Sequence, residues 1–555
     1  MQIGGKPVPR PFRKPLRAAL WRLKSNAGQI GSSGRQGPKY PYPPIEHYVL
    51  TSELKLNLQQ LEEIFNQSGD LVKRDFFIGG RARAAIIYVD GLADKTLIED
   101  TLLRTLQHAP ADLAQALVDK TVPLDRLLEI LVPMADVDFV EKMPDVVNHV
   151  LNGDAVLLFE GYHKGLATST RSWEHRSVSE PLTESVVRGP REGFVENLRT
   201  NTALIRRRLK TPDLVVENLL VGRYSQTNVS LAYLKSLVNP ALLQEVRRRL
   251  DRIDVDGILE SAYIEEYIED NPFSPFPQID HTERPDKVAA ALLEGRVAII
   301  IDNTPFALLV PTLFVQFLQA SEDYYERYWL ASFLRLVRFV ILNIALLLPS
   351  AYVAVSTFHQ EMLPTNLVVR LAAQREGIPF PALVEALLVE LVFEILREAG
   401  VRLPRLVGQA VSIVGALVIG EAAVSAGLFS PAMVIVVALT GISSFALPKF
   451  SMAITIRLLR FIMLVLAGIL GFYGIMLGLL AVLVHLTTLR SFGVPYLAPV
   501  APYHGRDYKD VFVRTPRWAQ DSRPTELVYR DSRRQTEGLK PVPPGRDKGE
   551  PGGGR

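Results

Sequence analysis

Residues 339 to 358 form a run of 20 amino acids without one Asp, Glu, Lys or Arg, and no other feature constrains the fold as strongly. As a helix rising about 1.5 Å per residue, such a run spans roughly 30 Å, the hydrocarbon thickness of a bilayer. Further apolar stretches follow it. Val407 to Gly427 carries a single charge, Glu421, and Ser430 to Pro448 carries none. Phe461 to Thr487 contains Gly468, Gly471, Gly474 and Gly478, and reads either as one tilted helix or as a tight bent pair. Before residue 338 the charges are evenly spread. The chain has 555 residues, 48% hydrophobic and 22% charged, with a mean hydropathy of +0.14. That mixture fits a charged soluble region followed by an all-α polytopic membrane domain over 333–490, with about five spans.

The segment Pro381 to Ala399 is apolar but interrupted by Glu385, Glu390, Glu394, Arg397 and Glu398. As a lone lipid-facing helix it is unfavourable, because each central charge costs about 2.5–3.5 kcal/mol on insertion scales. As a pass inside a bundle it keeps Arg335, Arg338, Arg402, Arg405, Lys449, Arg457 and Arg460 on one side of the membrane, the cytoplasmic side by the positive-inside rule. Glu390, Glu394 and Arg397 share one helical face. That face either lines a water-filled path, packs in a polar seam between subunits, or belongs to an interfacial helix with solvated charges. In the next segment Gly408, Ser412, Ala416 and Gly420 recur at every fourth position, a small-residue stripe that lets helices approach closely. Glu390, Glu394, Arg397, Gln409, Ser412, Ala416, Gly420 and Glu421 are therefore the candidate pore or inter-subunit face.

Between Glu46 and Asn303 short apolar runs alternate with amphipathic helices. Two pairs of strand candidates repeat. Ala84–Val89 with its following turn resembles Val229–Leu234, and the strand after Leu151-Asn152-Gly153 resembles the one after Leu293-Glu294-Gly295, at offsets of about 145 and 142 residues. The expected class is an α+β region of two related αβ subdomains, 46–190 and 191–320, ahead of the membrane domain. Because Val297 to Ile301 occupies the place of a soluble strand in the first copy, the apolar stretch Val297 to Leu318 is kept out of the span count. Residues 1–45, rich in Lys, Arg, Gly and Pro, read as a disordered basic arm, and 491–555 as a Pro- and Gly-rich charged tail.

A net charge of +3 gives no ground for nucleic-acid binding, and the absence of cysteine excludes disulfides and thiol chemistry. No phosphate-binding loop, HExxH motif or nucleophile elbow occurs, so neither an enzyme, a cofactor nor a metal is expected. The amino-terminal stretch lacks the features of a secretory signal, and the soluble region is expected to face the cytoplasm.

Several blocks then carry a family resemblance. They include Val187-Arg188-Gly189-Pro190-Arg191-Glu192-Gly193-Phe194, Asn271-Pro272-Phe273-Ser274-Pro275-Phe276-Pro277-Gln278, Thr282-Glu283-Arg284-Pro285-Asp286, Phe358-His359-Gln360-Glu361-Met362-Leu363-Pro364 and Arg490-Ser491-Phe492-Gly493-Val494-Pro495-Tyr496. Together they resemble the A-subunit family of bacterial endospore germinant receptors from about residue 75 to 502. The resemblance implies a multi-pass protein of the spore inner membrane, acting with a permease-like B subunit and a lipoprotein C subunit. It further implies a homo-oligomer that passes ions when a nutrient binds the complex. A non-conducting scaffold or signal relay is the alternative, as is the paralogous A-type protein associated with the spore dipicolinate channel. The loop containing Arg188, Gly189, Pro190, Arg191, Glu192 and Phe194 is the candidate coupling loop.

Overall fold

A computed structural model describes residues 45–121, 134, 136–171, 180–181, 183–402, 415, 418–536 and 538–541. The basic arm before residue 45 lies outside the described residues, as do Gly408, Gln409, Ser412 and Ala416.

The soluble region contains two five-stranded antiparallel sheets of identical topology. In the first, β1 (Leu71–Ile78), β2 (Ala82–Val89), β3 (Val137–Val140), β4 (Ala155–Phe159) and β5 (Gly165–Thr168) lie in the order β1-β2-β4-β5-β3. In the second, β6 (Leu214–Val221), β7 (Thr227–Leu234), β8 (Asp280–Thr282), β9 (Val297–Ile301) and β10 (Ala307–Val310) lie in the order β6-β7-β9-β10-β8. Register makes the correspondence residue by residue. Asp138 pairs with Ala167 and Asp280 with Leu309, each partner displaced by about 142 residues. The stretch from Val297 is thus a central sheet strand.

Both sheets are covered on both faces, which explains why their middle strands read as unbroken apolar runs. Ala84, Ile86 and Tyr88 of β2 join one core cluster, while Ala85, Ile87 and Val89 point into the other. Helices α1 (Leu54–Ile64) and α2 (Met143–Asn152) cover one face of the first sheet. Their counterparts are α3 (Leu198–Arg208) and α6 (Pro285–Leu292); α4 (Pro240–Asp251) and α5 (Ser261–Ile268) lie on the opposite face. Local sequence sets the starts of these helices. Asn197 and Asn239 accept hydrogen bonds from first-turn amides, and Pro240 and Pro285 occupy the first turn, where a missing N–H costs nothing.

The two copies are bolted together by Arg206 of α3, whose side chain is 0% exposed. Its guanidinium donates to both carboxylate oxygens of Asp70 at 2.8 and 2.9 Å, to the Ser68 hydroxyl and to the Thr211 carbonyl. This bidentate geometry fixes the relative orientation of the copies, since a buried guanidinium cannot leave its carboxylate without stranding a charge.

The carboxy-terminal half is helical. It comprises α7 (Tyr328–Thr357), α8 (Ala382–Arg402), α9 (Pro431–Phe445), α10 (Phe450–Leu470) and α11 (Phe472–Thr488). Helices α7 and α10 are long and apolar enough to cross a membrane; α9 and α11 are apolar but shorter. The run from Phe461 to Thr487 is broken at Gly471 (φ 62), so it forms two helices that pack against each other. At one end of the bundle Gly471 abuts Phe358 and His359, and Ser430 meets Glu385. At the other end lies the soluble region. The segment after α11 folds back onto that region: Tyr496, 0% exposed, donates its hydroxyl to the Pro277 carbonyl, and Ser491 bonds Thr312 and Gln278. The tail is therefore packed structure over much of its length, with Val511 and Leu527 in a small core shared with Leu313 and Val315.

Candidate coupling site at the junction of the soluble and helical regions

Two sets of buried charges hold the helical bundle to the soluble region, and a third lies within the bundle. The first surrounds Lys449, the residue that precedes α10. Its ammonium contacts the Glu184 carboxylate, lies 3.0 Å from Asp280 and donates to the His281 carbonyl at 2.7 Å. Lys287 of α6 reaches the same Asp280 at 2.8 Å. Asp280 and Lys449 are 1% and 6% exposed. Burial alone pushes the Asp280 carboxyl up, but the Lys287, Lys449 and Arg296 cations outweigh it and hold the group well below the usual carboxylate range. Glu184 is lowered too: burial opposes its charge, and Lys287 and Lys449 overcome that opposition. Burial dominates at Lys287 and pushes it down to about 8. Lys449 holds its proton more tightly than an ordinary lysine, because Asp280 and Glu184 outweigh its desolvation.

The second set anchors α7. Asp323, 1% exposed, accepts from Arg335 Nε at 3.0 Å and from Arg338 at 2.7 and 2.8 Å. Arg335 also donates to the backbone and side chain of Asp510 in the tail, at 2.7 and 2.8 Å, and the Tyr324 hydroxyl donates to the same carboxylate. The two arginines that suggested a cytoplasmic helix end from sequence are thus consumed in a specific joint between linker, first bundle helix and tail.

The third set lies inside the bundle, between α8 and α10. Glu390 and Arg460, 1% and 2% exposed, pair at 2.9 Å. Glu394 accepts from Arg457 at 2.7 Å and from Arg397 on its own helix. One turn toward the other end, Glu385 accepts from the Ser430 amide and hydroxyl, both at 2.6 Å. The structure therefore brings Glu390, Glu394 and Arg397 together on a seam within one chain, whereas Glu398 and Arg402 are exposed. Gly420 and Glu421 are also exposed and do not join this seam. Gln409, Ser412 and Ala416 lie outside the described residues.

The loop at 188–194 touches both halves of the joint. Gly189 adopts φ 141 and lies so close to Tyr325 that a Cβ there would sit 2.6 Å from the ring. The Pro190 carbonyl accepts from Arg284, itself 0% exposed, and Glu192 holds Arg207 and Arg208. Phe194 is buried in the second copy's core, its amide bonded to the Glu283 carbonyl. Arg191 pairs with Glu180 at the surface, and Arg188 is exposed. Sequence reading singled out this loop but missed Glu184, Asp280, Lys287 and Lys449. The available signal was a lysine placed immediately before an apolar helix, yet its partners come from positions 184 and 280, which no local pattern connects to it.

Among the described residues no group of His, Asp and Glu has the arrangement to hold a metal ion. The joint has the chemistry of a mechanical coupling: charges that cannot separate without large cost, placed where a bundle helix begins.

Comparison with known proteins gives the chain a family. The family model described as "Bacillus/Clostridium GerA spore germination protein" matches residues 59–526, extending past both limits of the 75–502 resemblance and into the tail. Spore germination protein KA of Bacillus subtilis (strain 168) is 46% identical over 497 residues, covering 89% of this chain and 90% of that protein. An uncharacterized membrane protein of the same organism, YfkQ, is 47% identical over 476 residues, covering 86% of this chain and 91% of its own length. The crystal structure of the N-terminal domain of the A subunit of the Bacillus megaterium spore germinant receptor GerK3 aligns with 49% of this chain and 99% of its own, at 37% identity and a TM-score of 0.38. With the family model matching most of its length, the chain belongs to the GerA family of spore germination proteins, a family of germinant-receptor subunits rather than enzymes.

Proposed function

We propose that this chain is the A-type subunit of a nutrient germinant receptor in the inner membrane of a bacterial spore, with its two αβ copies and its tail on the cytoplasmic side. In this reading the bundle crosses the bilayer several times and assembles with further copies of itself. A permease-like B subunit and a lipoprotein C subunit complete the receptor, and the oligomer conducts ions when a nutrient binds. The observation that carries the reading is the Lys449 joint. The αβ module grips the residue that precedes a bundle helix through buried ion pairs, so a displacement of the module must be felt by that helix. The Arg335 joint does the same for α7, and the loop from Arg188 to Phe194 touches the linker between the two.

Purified protein reconstituted in liposomes should pass monovalent cations, with the flux altered in Glu390→Ala. A total absence of flux in every assembly state would sink the conducting reading. Lys449→Met should leave assembly intact and abolish the nutrient response of spores.

A second reading, a non-conducting relay, is favoured by one observation: Glu390 and Glu394 are paired with arginines of the same chain. In that case blocking the bundle seam leaves germination normal, while altering Gly189 or Phe194 abolishes it.

A further inference from the structure

A cavity of ≈ 450 Å³ opens where α6, the linker at residues 316–325 and the tail meet. Six cationic side chains line it, Arg208, Lys287, Arg296, Arg517, Arg523 and Arg534, against two carboxylates, Asp286 and Glu294. Most of these cations are already satisfied. Arg534 pairs with Glu294 at 2.7 Å, Arg208 with Glu192 at 2.8 Å, Lys287 with Asp280 at 2.8 Å and Arg523 with Asp531 at 3.0 Å. Asp286 is taken by Arg284 and by the Tyr325 hydroxyl.

Two guanidiniums remain without a carboxylate among the described residues. Arg296, which lines the cavity, is 3% exposed; its Nε and Nη2 donate to the carbonyls of Pro311 and Leu309 and to the Thr312 hydroxyl, while Nη1 donates to no described acceptor. Arg517 lies over the Tyr324 ring at 5.0 Å, with only the Gln520 amide oxygen, at 3.4 Å, as a polar partner. Asp280 and Glu294 favour the Arg296 charge from a distance, but neither touches the guanidinium, so an anion that reached it would add a direct contact. The fold does not demand an arginine here, because the first copy places Asp154 at the corresponding position, just after the glycine that ends α2. The remaining wall is mixed, apolar from Leu209, Ala289 and Leu293 and polar from Gln316, Gln319 and Ser321, and the volume suits a small molecule.

We propose that this cavity binds a small organic anion, a carboxylate or a phosphate ester, whose charge sits between Arg296 and Arg517 and whose body lies against the alanine face of α6. The occupant touches the second αβ copy, the linker into α7 and the tail at once, so it locks the joint in the arrangement described above. This goes beyond the receptor assignment and does not depend on ion conduction.

The test uses the full-length chain in nanodiscs of neutral lipid at fixed ionic strength, titrated separately with phthalate and with inorganic phosphate and followed by thermal unfolding and calorimetry. Saturable binding of one anion per chain is expected. Arg517→Ala and Arg296→Met should each weaken it roughly tenfold or more, the loss of one charge-assisted contact. Arg223→Ala, at an exposed pair with Asp254 remote from the cavity, should leave it unchanged. A stabilisation seen only in phosphatidylglycerol nanodiscs, and lost in Arg517→Ala, assigns the same site to a lipid headgroup. Absence of any saturable effect in both nanodisc types overturns the proposal, as does binding that Arg517→Ala, a surface substitution, leaves unaltered.

Discussion

The two αβ copies share strand order and register, yet among the described residues only the second makes the buried ion pairs that grip the helical bundle. Asp138 and Asp280 occupy the same place on β3 and β8, opposite Ala167 and Leu309. Asp138 is exposed, whereas Asp280 is 1% exposed among three cations. At the residue preceding the helix, the first copy has exposed Lys142 and the second has fully buried Arg284. In the first turn of the helix the first copy has exposed Asp145 where the second has Lys287. The backbone is thus indifferent to these positions. What changed is the covering: the 183–194 loop and the start of α10 lie over one edge, and solvent lies over the other. One fold supplies a plain packing module in one copy and a charged socket in the other, which localises function to a sheet edge rather than to the fold as a whole.

Three kinds of measurement test this contrast. The largest effect is expected at the socket. Asp280→Ala leaves Lys287 and Lys449 with Glu184 as their one carboxylate and should destabilise the protein by about 3–5 kcal/mol, while Asp138→Ala should stay within about 0.5 kcal/mol. Equal losses in chemical unfolding would show that the two edges do not differ. Next come the glycines that close α2 and α6. Gly153 (φ 93) and Gly295 (φ 86) are both left-handed, and a Cβ would lie 2.9 Å from the Leu92 carbonyl oxygen in the first copy and 3.0 Å from that of its counterpart Leu237 in the second. Alanine at either should cost about 1–3 kcal/mol, similar in the two copies because the strain is set by the shared backbone. At Gly189 the same substitution meets the Tyr325 ring, and its effect should appear in the germination response of spores as well as in stability.

The smallest effect concerns pH. Burial, with Glu269, Asp280, Glu260 and Glu266 adding repulsion, raises Glu265 in α5 from 4.5 to about 8. The folded chain therefore holds a proton there that the unfolded chain releases. This group's contribution is fully present below pH 4.5 and is lost as pH rises through about 8. Glu265→Gln should flatten the fall in stability across that window, read from unfolding curves at a series of pH values. Asp280 works in the opposite sense: its contribution is present above the ordinary carboxylate range and is lost only as pH falls through its lowered value. Acid titration above that range should leave the Lys449 joint closed.

Much of this was legible from residues alone. The repeat showed because strand alternation and the Gly153 and Gly295 turns are local signals, and local signals survive in a linear string. The helix at Ala382–Arg402 was readable as one face of Glu390, Glu394 and Arg397, but not the identity of what that face meets. Arg457 and Arg460 lie more than 60 residues further along, and helical periodicity says which side a residue is on without saying which helix will cover it.

The division into a duplicated αβ region and a helical bundle, and the family, follow from residue order, because apolar run length, strand period and contiguous motifs are properties of neighbours along the chain. That Lys449 sits between Glu184 and Asp280, that Arg335 joins the linker to the tail, and that Arg296 lines a cavity emerge on folding. Those outcomes depend on which distant segments exclude water from a given charge, and burial of that kind exists only once the chain has folded.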